Sequence, residues 1–597
     1  MRLKSQSPLF FVLFLLLFVI SSATNLMAQV STGNKALHQF FNDYYEESLK
    51  LFPINATYEG DTRYNDLLPN DGSISFLKAK HNFYTKYQQA LKKFDYQKLN
   101  EQDKVSYDIL MDITQRELGV EQFHPEYMPV TQVFSLPLTM AQLGAGTGAQ
   151  PFKTVKDYDN WLKRTAQFAI WTDTAIANFR KGMKAGYVLP KVIVVKLIPQ
   201  MESLAQKDSS KSVFYGPIRN FPKDFSAADK ARLATAYYTG INQQLLSSYQ
   251  KLKDFFSNEY LPVARTTSGI NALPNGDKMY RFYIYYNTTT HKTPEEVYQT
   301  GLNEVARITA AMEEIKDSLG FKGSLKDLFE FMKTNKQFMP FKTDEEVLNA
   351  YRAILDKIQP HLKDLFGIAP KTPFEIREVE AYRAASAPPQ YSRGSADGTR
   401  PGIFYVPIVD PTKINVTGWA MEDVFLHEAI PGHHYQLSLQ QENKDLPKFR
   451  RFAHISAFSE GWGLYSESLG EQLGCYTDPY QKLGALGGEI HRAIRLVVDV
   501  ALHTGKMTRE QAIKYMLDNE AIPEQTATLE IERYMAMPGQ ALSYKTGELK
   551  IKELRDKYQQ QLGAKFSLRN FHDALLEGGS MPLDVFEKYM DEWARTQ

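Results

Sequence analysis

Apolar residues recur with helical spacing along most of the chain. In one segment, Thr293 precedes Pro294, and Glu296 stands three residues after the threonine, which is the pattern of a capping box with proline at the first helical position. The apolar face that follows consists of Val297, Leu302, Val305, Ile308, Met312 and Ile315. Similar start signals occur at Thr343 and Thr508. The pattern predicts a mainly α-helical protein.

Two segments favour β-strands because they are rich in aromatic and β-branched residues: MYRFYIYYN at 279–287 and GIFYVPIV at 402–409. A small sheet within a mainly helical protein is therefore expected. Single hydrophobic cores rarely grow beyond about 250–300 residues. We therefore expect two lobes, an N-terminal helical lobe at 29–265 and a catalytic lobe at 266–597.

The first 28 residues have the three parts of a secretory signal. Arg2 and Lys4 give a basic start, residues 9–20 form an uninterrupted apolar run, and Ala23 and Ala28 are both candidates for the last residue before cleavage. The apolar run is shorter than the roughly 20 residues that span a bilayer. A cleaved signal is favoured over an uncleaved membrane anchor. The mature protein is expected to be exported, periplasmic or extracellular, without stable membrane association.

Composition excludes several classes of function. The chain has 70 basic and 69 acidic residues, so its charge gives no case for binding nucleic acid or a membrane surface. Cys475 is its only cysteine, which excludes an internal disulfide and a lipid-modified cysteine after the apolar run. The 34 tyrosines and 36 phenylalanines suit either a large core or a cleft lined with aromatic rings.

The stretch HEAIPGHH carries the clearest chemistry in the sequence. In a His-Glu-x-x-His motif, two histidines at i and i+4 share a helix face and bind zinc, and the glutamate activates water. Here His433 follows His427 by six residues, a rise of roughly 9 Å on an unbroken helix. Pro431 and Gly432 should interrupt that helix and let the chain fold back. We expect His427 and His433 to bind zinc, with His434 as the alternative second ligand.

A hydrolytic zinc site commonly has three protein ligands and one open position. The downstream segment AFSEGWGLYSESLGEQLG offers Glu460, Glu467 and Glu471. Glu460 is favoured because aromatic residues surround it and because Gly461 would let two helices approach closely. Glu467 is the alternative ligand or a supporting residue, and Glu471 fits a solvated face. One Zn²⁺ per chain is expected.

These motifs resemble the bacterial DUF885 family, which is grouped by similarity with zincin-type zinc metallopeptidases. The resemblance is carried by GTRPGIFYVPIV, MEDVFLHEAIPGHHYQ, FSEGWGLYSE, RLVVDVALHTGKMT and ERYMAMPGQALSYKTGEL, and it extends from residue 51 to the C-terminus. It implies a large, multi-helix, two-lobed zincin-like metallopeptidase with a small β-sheet beside the active-site helix and a substrate cleft between helical lobes.

The resemblance also implies roles for individual residues. Glu428 would be the general base that takes a proton from the attacking water. Helical zincins often stabilise the oxyanion with a tyrosine or histidine from a downstream helix. Tyr534 and Tyr544 are the candidates for this role, with His491 and His503 behind them.

Two features upstream of the metal motif could contact substrate. Residues 402–406 could form an edge strand that pairs with an extended peptide, or an ordinary strand of the sheet. Arg393 and Arg400 could bind a terminal carboxylate by a bidentate contact, which would make the enzyme an exopeptidase. A solvated or structural arginine is the common alternative.

The sequence thus predicts an exported zinc metallopeptidase that hydrolyses peptide bonds of oligopeptides. One alternative is a metal-dependent hydrolase that acts on a non-peptide amide or ester, and another is an inactive binding protein on the same fold. Retention of both Glu428 and Glu460 counts against decay of the site. A nucleophilic hydrolase is disfavoured, because no Gly-x-Ser-x-Gly motif is present and nothing near Cys475 would activate its thiol.

Overall fold

The computed structural model describes residues 34–208, 211–379, 384, 388–396, 398, 400–417 and 421–597. The expected signal segment at 1–28 lies outside the described residues. Among the helices of the described residues, none is both long and apolar enough to cross a membrane.

Helices make up most of the chain before the sheet. They are α1 (Lys35–Leu51), α2 (Pro53–Glu59), α3 (Ile74–Leu91), α4 (Glu101–Val120), α5 (Leu136–Gly144), α6 (Val155–Ala185), α7 (Lys191–Leu204), α8 (Gly216–Arg219), α9 (Ala227–Gly240), α10 (Ser247–Phe255), α11 (Gly276–Thr288), α12 (Pro294–Ser318), α13 (Leu325–Thr334) and α14 (Asp344–Leu365).

The sheet and a second set of helices follow. They are β1 (Phe374–Glu378), β2 (Gln390–Ser392), β3 (Gly402–Val406), α15 (Met421–Glu428), α16 (His433–Glu442), α17 (Lys448–Arg451), α18 (Ser456–Glu467), α19 (Pro479–His503), α20 (Arg509–Asn519), α21 (Glu524–Ala536), α22 (Ser543–Leu562), α23 (Leu568–Gly578) and α24 (Leu583–Arg595). The expected mainly helical fold with a small sheet is confirmed.

The helix starts predicted from capping signals are present. Thr293, Thr343 and Thr508 cap α12, α14 and α20, and each forms a reciprocal capping box with the residue three positions later. Local sequence is sufficient here because a capping box satisfies backbone N–H groups within a single helical turn.

The predicted strand at 279–287 is wrong, because these residues lie in α11. Their aromatic content is typical of strands, yet the buried residues include Met279, Tyr280, Ile284 and Thr288. This spacing follows one face of a helix rather than alternate positions of a strand. Packing of that face in the interior outweighs the strand propensity.

The sheet has the order β1–β3–β2, so β3 is its central strand. It runs parallel to β1, with Gly402 opposite Phe374, and antiparallel to β2, with Phe404 opposite Tyr391. Of the two alternatives for 402–406, the structure shows the ordinary sheet strand and not an edge strand that could pair with substrate, because neighbouring strands already pair with both of its edges. β2 is the edge strand on one side.

The sheet packs against the helix that carries the first histidine of the metal motif. Phe404 of β3 meets Phe425 of α15 edge to face, with ring centroids 6.0 Å apart. Both side chains are fully buried. The small sheet therefore lies beside the helix that ends at Glu428, as expected.

Two large hydrophobic cores hold the helices together. One joins α1, α3 and α4 with α14, the sheet, α15, α18 and α22 to α24. The other joins α6, α7, α9 and α10 with α12, α13 and α19 to α21. The division into lobes at 29–265 and 266–597 remains a prediction. Each core draws residues from both sides of residue 265.

Helices α18 and α22 cross with direct backbone contact. A Cβ atom added at Gly547 would lie 1.8 Å from the carbonyl oxygen of Ala457, and one added at Gly461 would lie 2.5 Å from the Cα of Gly547. The close approach expected from Gly461 therefore occurs, and the glycine of the partner helix is Gly547.

We expect Gly547→Ala to lower the free energy of unfolding by about 1–3 kcal/mol or more, because overpacking forces the two backbones apart. The matched control is Gly487→Ala in α19, where an added Cβ meets nothing within 4 Å. That change should be neutral or stabilise by up to about 1 kcal/mol. Denaturant unfolding measures both, and equal shifts in the two variants would contradict the close crossing.

Candidate metal centre

The motif HEAIPGHH contains a break between two helices. α15 ends at Glu428 and α16 begins at His433, with a cis peptide bond between Ile430 and Pro431. A Cβ added at Gly432 would lie 1.9 Å from the carbonyl oxygen of His427, so only glycine fits at this position. The interruption predicted from Pro-Gly is present.

Helix α18 packs against the break and satisfies the carbonyl groups that it frees. Trp462 donates its indole N–H to the oxygen of Pro431 at 2.9 Å, and the Ser466 hydroxyl donates to the oxygen of Leu426 at 2.9 Å. Gly463 leaves room for the His427 ring, because a Cβ there would lie 2.7 Å from its Cε1. The helix that offers Glu460 is thus fixed against the histidines.

The break brings together His427, His433 and Glu460. The two histidine rings are 4.9 Å apart and almost perpendicular, and Glu460 Oε2 lies 3.6 Å from each Nε2 atom. One donor atom from each of the three residues lies within 4.8 Å of the others. Ligands of a tetrahedral zinc are about 3.4 Å apart, so this donor set fits zinc.

The electrostatics of the cluster favour a cation. Burial opposes charge on the Glu460 carboxyl, yet His427 and His433 hold its pKa well below its usual range. Burial also opposes protonation of His427, but Glu460 and Glu467 raise its pKa well above normal. A buried carboxylate and two imidazoles therefore share a site where positive charge is stabilised.

Glu467 supports His427 from behind. Its Oε1 lies 2.6 Å from His427 Nδ1, which leaves Nε2 pointing toward Glu460. Burial opposes charge on Glu467, but Arg492 and His427 lower its pKa. Burial and the Glu467 charge raise the pKa of Asp423 beside it. A carboxylate on the outer nitrogen fixes the tautomer and the orientation of a metal-binding histidine.

His434 points away from the cluster. Its Nδ1 lies 3.0 Å from the Tyr391 hydroxyl, and its ring packs 4.9 Å from that of Phe374. Burial lowers its pKa to about 4. Of the two adjacent histidines, the structure brings His433 to the cluster.

Glu428 ends α15 beside the edge strand. Its Oε2 accepts a hydrogen bond from the backbone N–H of Tyr391 at 2.9 Å. Tyr391 lies opposite Phe404 of β3, and its N–H is directed to Glu428 rather than to β3, as alternate N–H groups are in an antiparallel pair. Tyr391 gives no recognisable signal in the sequence and was not anticipated as part of the site.

The two candidate tyrosines differ in position. The Tyr544 ring lies 6.3 Å from the His427 ring at an angle of 23°, and the Arg495 guanidinium lies 4.5 Å from the Tyr544 centroid. The Tyr534 hydroxyl is buried and bonds to Arg495 Nε at 2.9 Å and Glu530 at 2.5 Å. Tyr544 is therefore adjacent to the metal motif. Tyr534 lies one step further away, because its hydroxyl bonds to Arg495, which in turn packs against the Tyr544 ring.

His491 and His503 have structural partners. His491 Nδ1 lies 2.8 Å from Glu520, and His503 bonds to backbone atoms of Ile270 and Tyr534. Burial lowers the pKa of His503 to about 3.

Burial raises the pKa of the Cys475 thiol to about 12, which argues against a nucleophilic role for the only cysteine in the chain.

A cavity of about 1160 Å³ lies near the cluster, although His427, His433 and Glu460 are not among the residues that line it. It reaches Tyr391, which bonds to Glu428, and Ser456, which lies one helical turn before Glu460. Its other walls come from distant parts of the chain and include Tyr44, Tyr45, Phe52, Glu59, Thr147, Gly148 and Tyr286. The high tyrosine and phenylalanine content was the only sequence signal for this aromatic lining.

Comparisons with known proteins identify the family and the fold. A family model described as "Bacterial protein of unknown function (DUF885)" matches residues 53–590. A structure from Colwellia psychrerythraea, described as a lipoprotein, has a TM-score of 0.86 and 27% identity, covering 94% of this chain and 99% of its own. One from Shewanella oneidensis, described as a lipoprotein of unknown function, has a TM-score of 0.73 and 19% identity, covering 93% and 100%.

A third structure is more distant. Trypanosoma cruzi metallocarboxypeptidase 1 has 12% identity and a TM-score of 0.39, covering 94% of this chain and 99% of its own. That similarity is too low to support an argument about function. No curated protein sequence matches the chain.

We expect Glu467→Gln to weaken zinc binding by about 10- to 100-fold, because an amide is a poorer partner for the outer nitrogen of His427. Glu471→Gln is the control, since Glu471 is exposed and pairs with Lys482. Competition with a chromophoric chelator measures both affinities. Equal affinities in wild type and Glu467→Gln would show that the contact does not tune a metal site.

Proposed function

The chain belongs to the bacterial DUF885 family, and we propose that it is an exported zinc-dependent peptidase that hydrolyses oligopeptides with Glu428 as general base. The observation that carries this proposal is the meeting of His427, His433 and Glu460, with Glu428 on the same motif and bonded to Tyr391 of a nearby cavity wall. Two nitrogen donors and one oxygen donor are the ligand set of a hydrolytic zinc centre, and Glu428 supplies a further carboxylate that would not bind the ion.

His427, His433 and Glu460 would hold one zinc ion. When bound, zinc would supply Lewis acidity, which makes water nucleophilic near neutral pH and polarises a substrate carbonyl. The protein holds these ligands through buried contacts on α15, α16 and α18. Glu467 would keep His427 oriented with Nε2 toward the ion.

Glu428 would move the proton in the reaction. The N–H of Tyr391, a residue of the cavity wall, holds one oxygen of the Glu428 carboxylate. From there Glu428 would take a proton from the attacking water and deliver it to the nitrogen of the leaving amine. The base needs no second residue for this, because one carboxylate can act first as base and then as acid.

Tyr544 would donate a hydrogen bond to the oxyanion. Its ring stacks beside His427, and Arg495 lies against the tyrosine ring. A donor that is already oriented stabilises developing charge without reorganising. Tyr534 would act through Arg495, whose orientation it fixes by its hydrogen bond, and would thus be a positioning residue.

Export is part of the same proposal. Residues 1–28 have the pattern of a secretory signal. Two similar structures are described as lipoproteins, which supports an address outside the cytoplasm. The proposed location is periplasmic or extracellular.

The first test is the zinc content of the purified chain from residue 29 to residue 597. We expect about one zinc per wild-type chain, little in His427→Ala, and about one in Glu428→Gln, since only the first change removes a ligand. Glu428→Gln should lower kcat on a peptide library by about 10²- to 10⁴-fold. A zinc-loaded wild type that cleaves esters or non-peptide amides but no peptide would favour a different hydrolase, and a wild type without zinc would favour a binding protein.

Tyr544→Phe should lower kcat by about 10²- to 10³-fold while zinc content stays unchanged, because the hydroxyl acts only on the oxyanion. The matched control is Tyr558→Phe on the same helix, whose hydroxyl bonds to Asp591 at 3.0 Å. Steady-state kinetics distinguish the two variants. Full activity of Tyr544→Phe would remove this tyrosine from the mechanism.

A further inference from the structure

Two arginines on the cavity wall form no ion pair with any acidic residue that the structure describes. Arg393 and Arg400 both line the cavity, and neither guanidinium forms an ion pair with a described residue. The Nε of Arg400 is buried without a hydrogen-bond partner. By contrast, Arg116 of the same cavity is paired with Asp112 at 2.7 Å. The planar forks of Arg393 and Arg400 are therefore available to an anionic ligand.

Both arginines lie near the proposed catalytic residues. Arg393 follows Tyr391 by two residues, so their Cα atoms are at most about 7 Å apart. The backbone N–H of Tyr391 is in turn 2.9 Å from Glu428. Burial raises the pKa of the Tyr391 hydroxyl, and the charges of Arg393 and Arg400 both oppose this rise. Burial lowers the pKa of His454, which the Glu460 charge raises and the Arg393 charge lowers further. The arginines thus face the part of the cavity that reaches the metal motif.

One acidic residue approaches Arg393 from the opposite wall. Burial lowers the pKa of the Arg393 guanidinium and the Glu59 charge raises it, but these two side chains form no ion pair with each other. Tyr45 instead donates a hydrogen bond to Glu59 at 2.7 Å. Burial raises the pKa of Glu59 to about 7, so its charge is only partly present at neutral pH. The donors of Arg393 therefore stay open toward the cavity.

We propose that Arg393, assisted by Arg400, binds the C-terminal carboxylate of a peptide and makes the enzyme an exopeptidase that removes about one to three residues. This proposal rests on the proposed peptidase function. A free carboxylate matches the guanidinium fork, whereas an internal peptide bond carries no charge. The Cα atoms of Tyr391 and Arg393 are at most about 7 Å apart, which is about two residues of extended peptide, so we expect the released fragment to be short.

The decisive experiment compares a peptide that has a free C-terminus with the same peptide amidated. Zinc-loaded wild type should release short fragments from the C-terminus, seen as a mass ladder, with kcat/KM about 10- to 100-fold higher for the free acid. Arg393→Met should lower kcat/KM for the free acid to the level of the amide, mainly through KM, and should leave the amide unchanged. Arg393→Lys should recover part of the loss, because it keeps the charge but not the fork.

Arg352→Met is the control for loss of a guanidinium, since Arg352 is exposed and paired with Glu345 at 2.6 Å. Equal cleavage of acid and amide at internal bonds would overturn the exopeptidase inference and leave the peptidase proposal standing. Cleavage of neither peptide by the zinc-loaded enzyme would overturn the peptidase function itself. If Arg393→Met does not fold, the wild-type comparison of acid and amide still decides between these outcomes.

Discussion

The satisfied backbone at the helix break supports the whole of the proposed metal centre. The break between α15 and α16 leaves carbonyl groups without helical partners, and buried carbonyl groups without partners are costly. Trp462 and Ser466 of α18 supply those partners, and the same helix carries Glu460 and Glu467. The contacts that make the break tolerable are therefore also the contacts that bring the third donor to the histidines.

The far side of the site depends on α22 in a similar way. Gly547 lets α22 contact α18 backbone to backbone. Next to Tyr544, the fully buried Lys545 is paired with Glu304, Glu489 and Glu548 at 3.0, 2.6 and 2.6 Å. A buried charge of this kind is stable only with such partners. The backbone crossing and the ion cluster thus fix the tyrosine beside His427, with Arg495 against its ring.

Local signals in the sequence predicted the parts of the fold that depend on a few neighbouring residues. The capping boxes, the break at Pro431 and Gly432, and the close approach at Gly461 follow from the chemistry of one or two residues. The error at 279–287 arose because aromatic content suits both a strand and a buried helix face, and packing partners decide between them. The cavity could not be predicted, because Tyr44 and Glu59, which line it, precede Tyr391 on the opposite wall by more than 300 residues in the chain.

The adjacent histidines illustrate how one helix can serve two parts of the site. Neighbouring residues on a helix point about 100° apart, so His433 and His434 cannot both face the cluster. His434 turns to the sheet instead, where Tyr391 bonds to its ring and where a Cβ on Gly402 would lie 2.8 Å from its Nδ1. Through Tyr391 this contact fixes β2 relative to α16. Because β2 also holds Glu428 and leads directly into Arg393, His434, the histidine outside the cluster, sets the proposed base and the proposed carboxylate anchor at a defined distance from the proposed metal ligands.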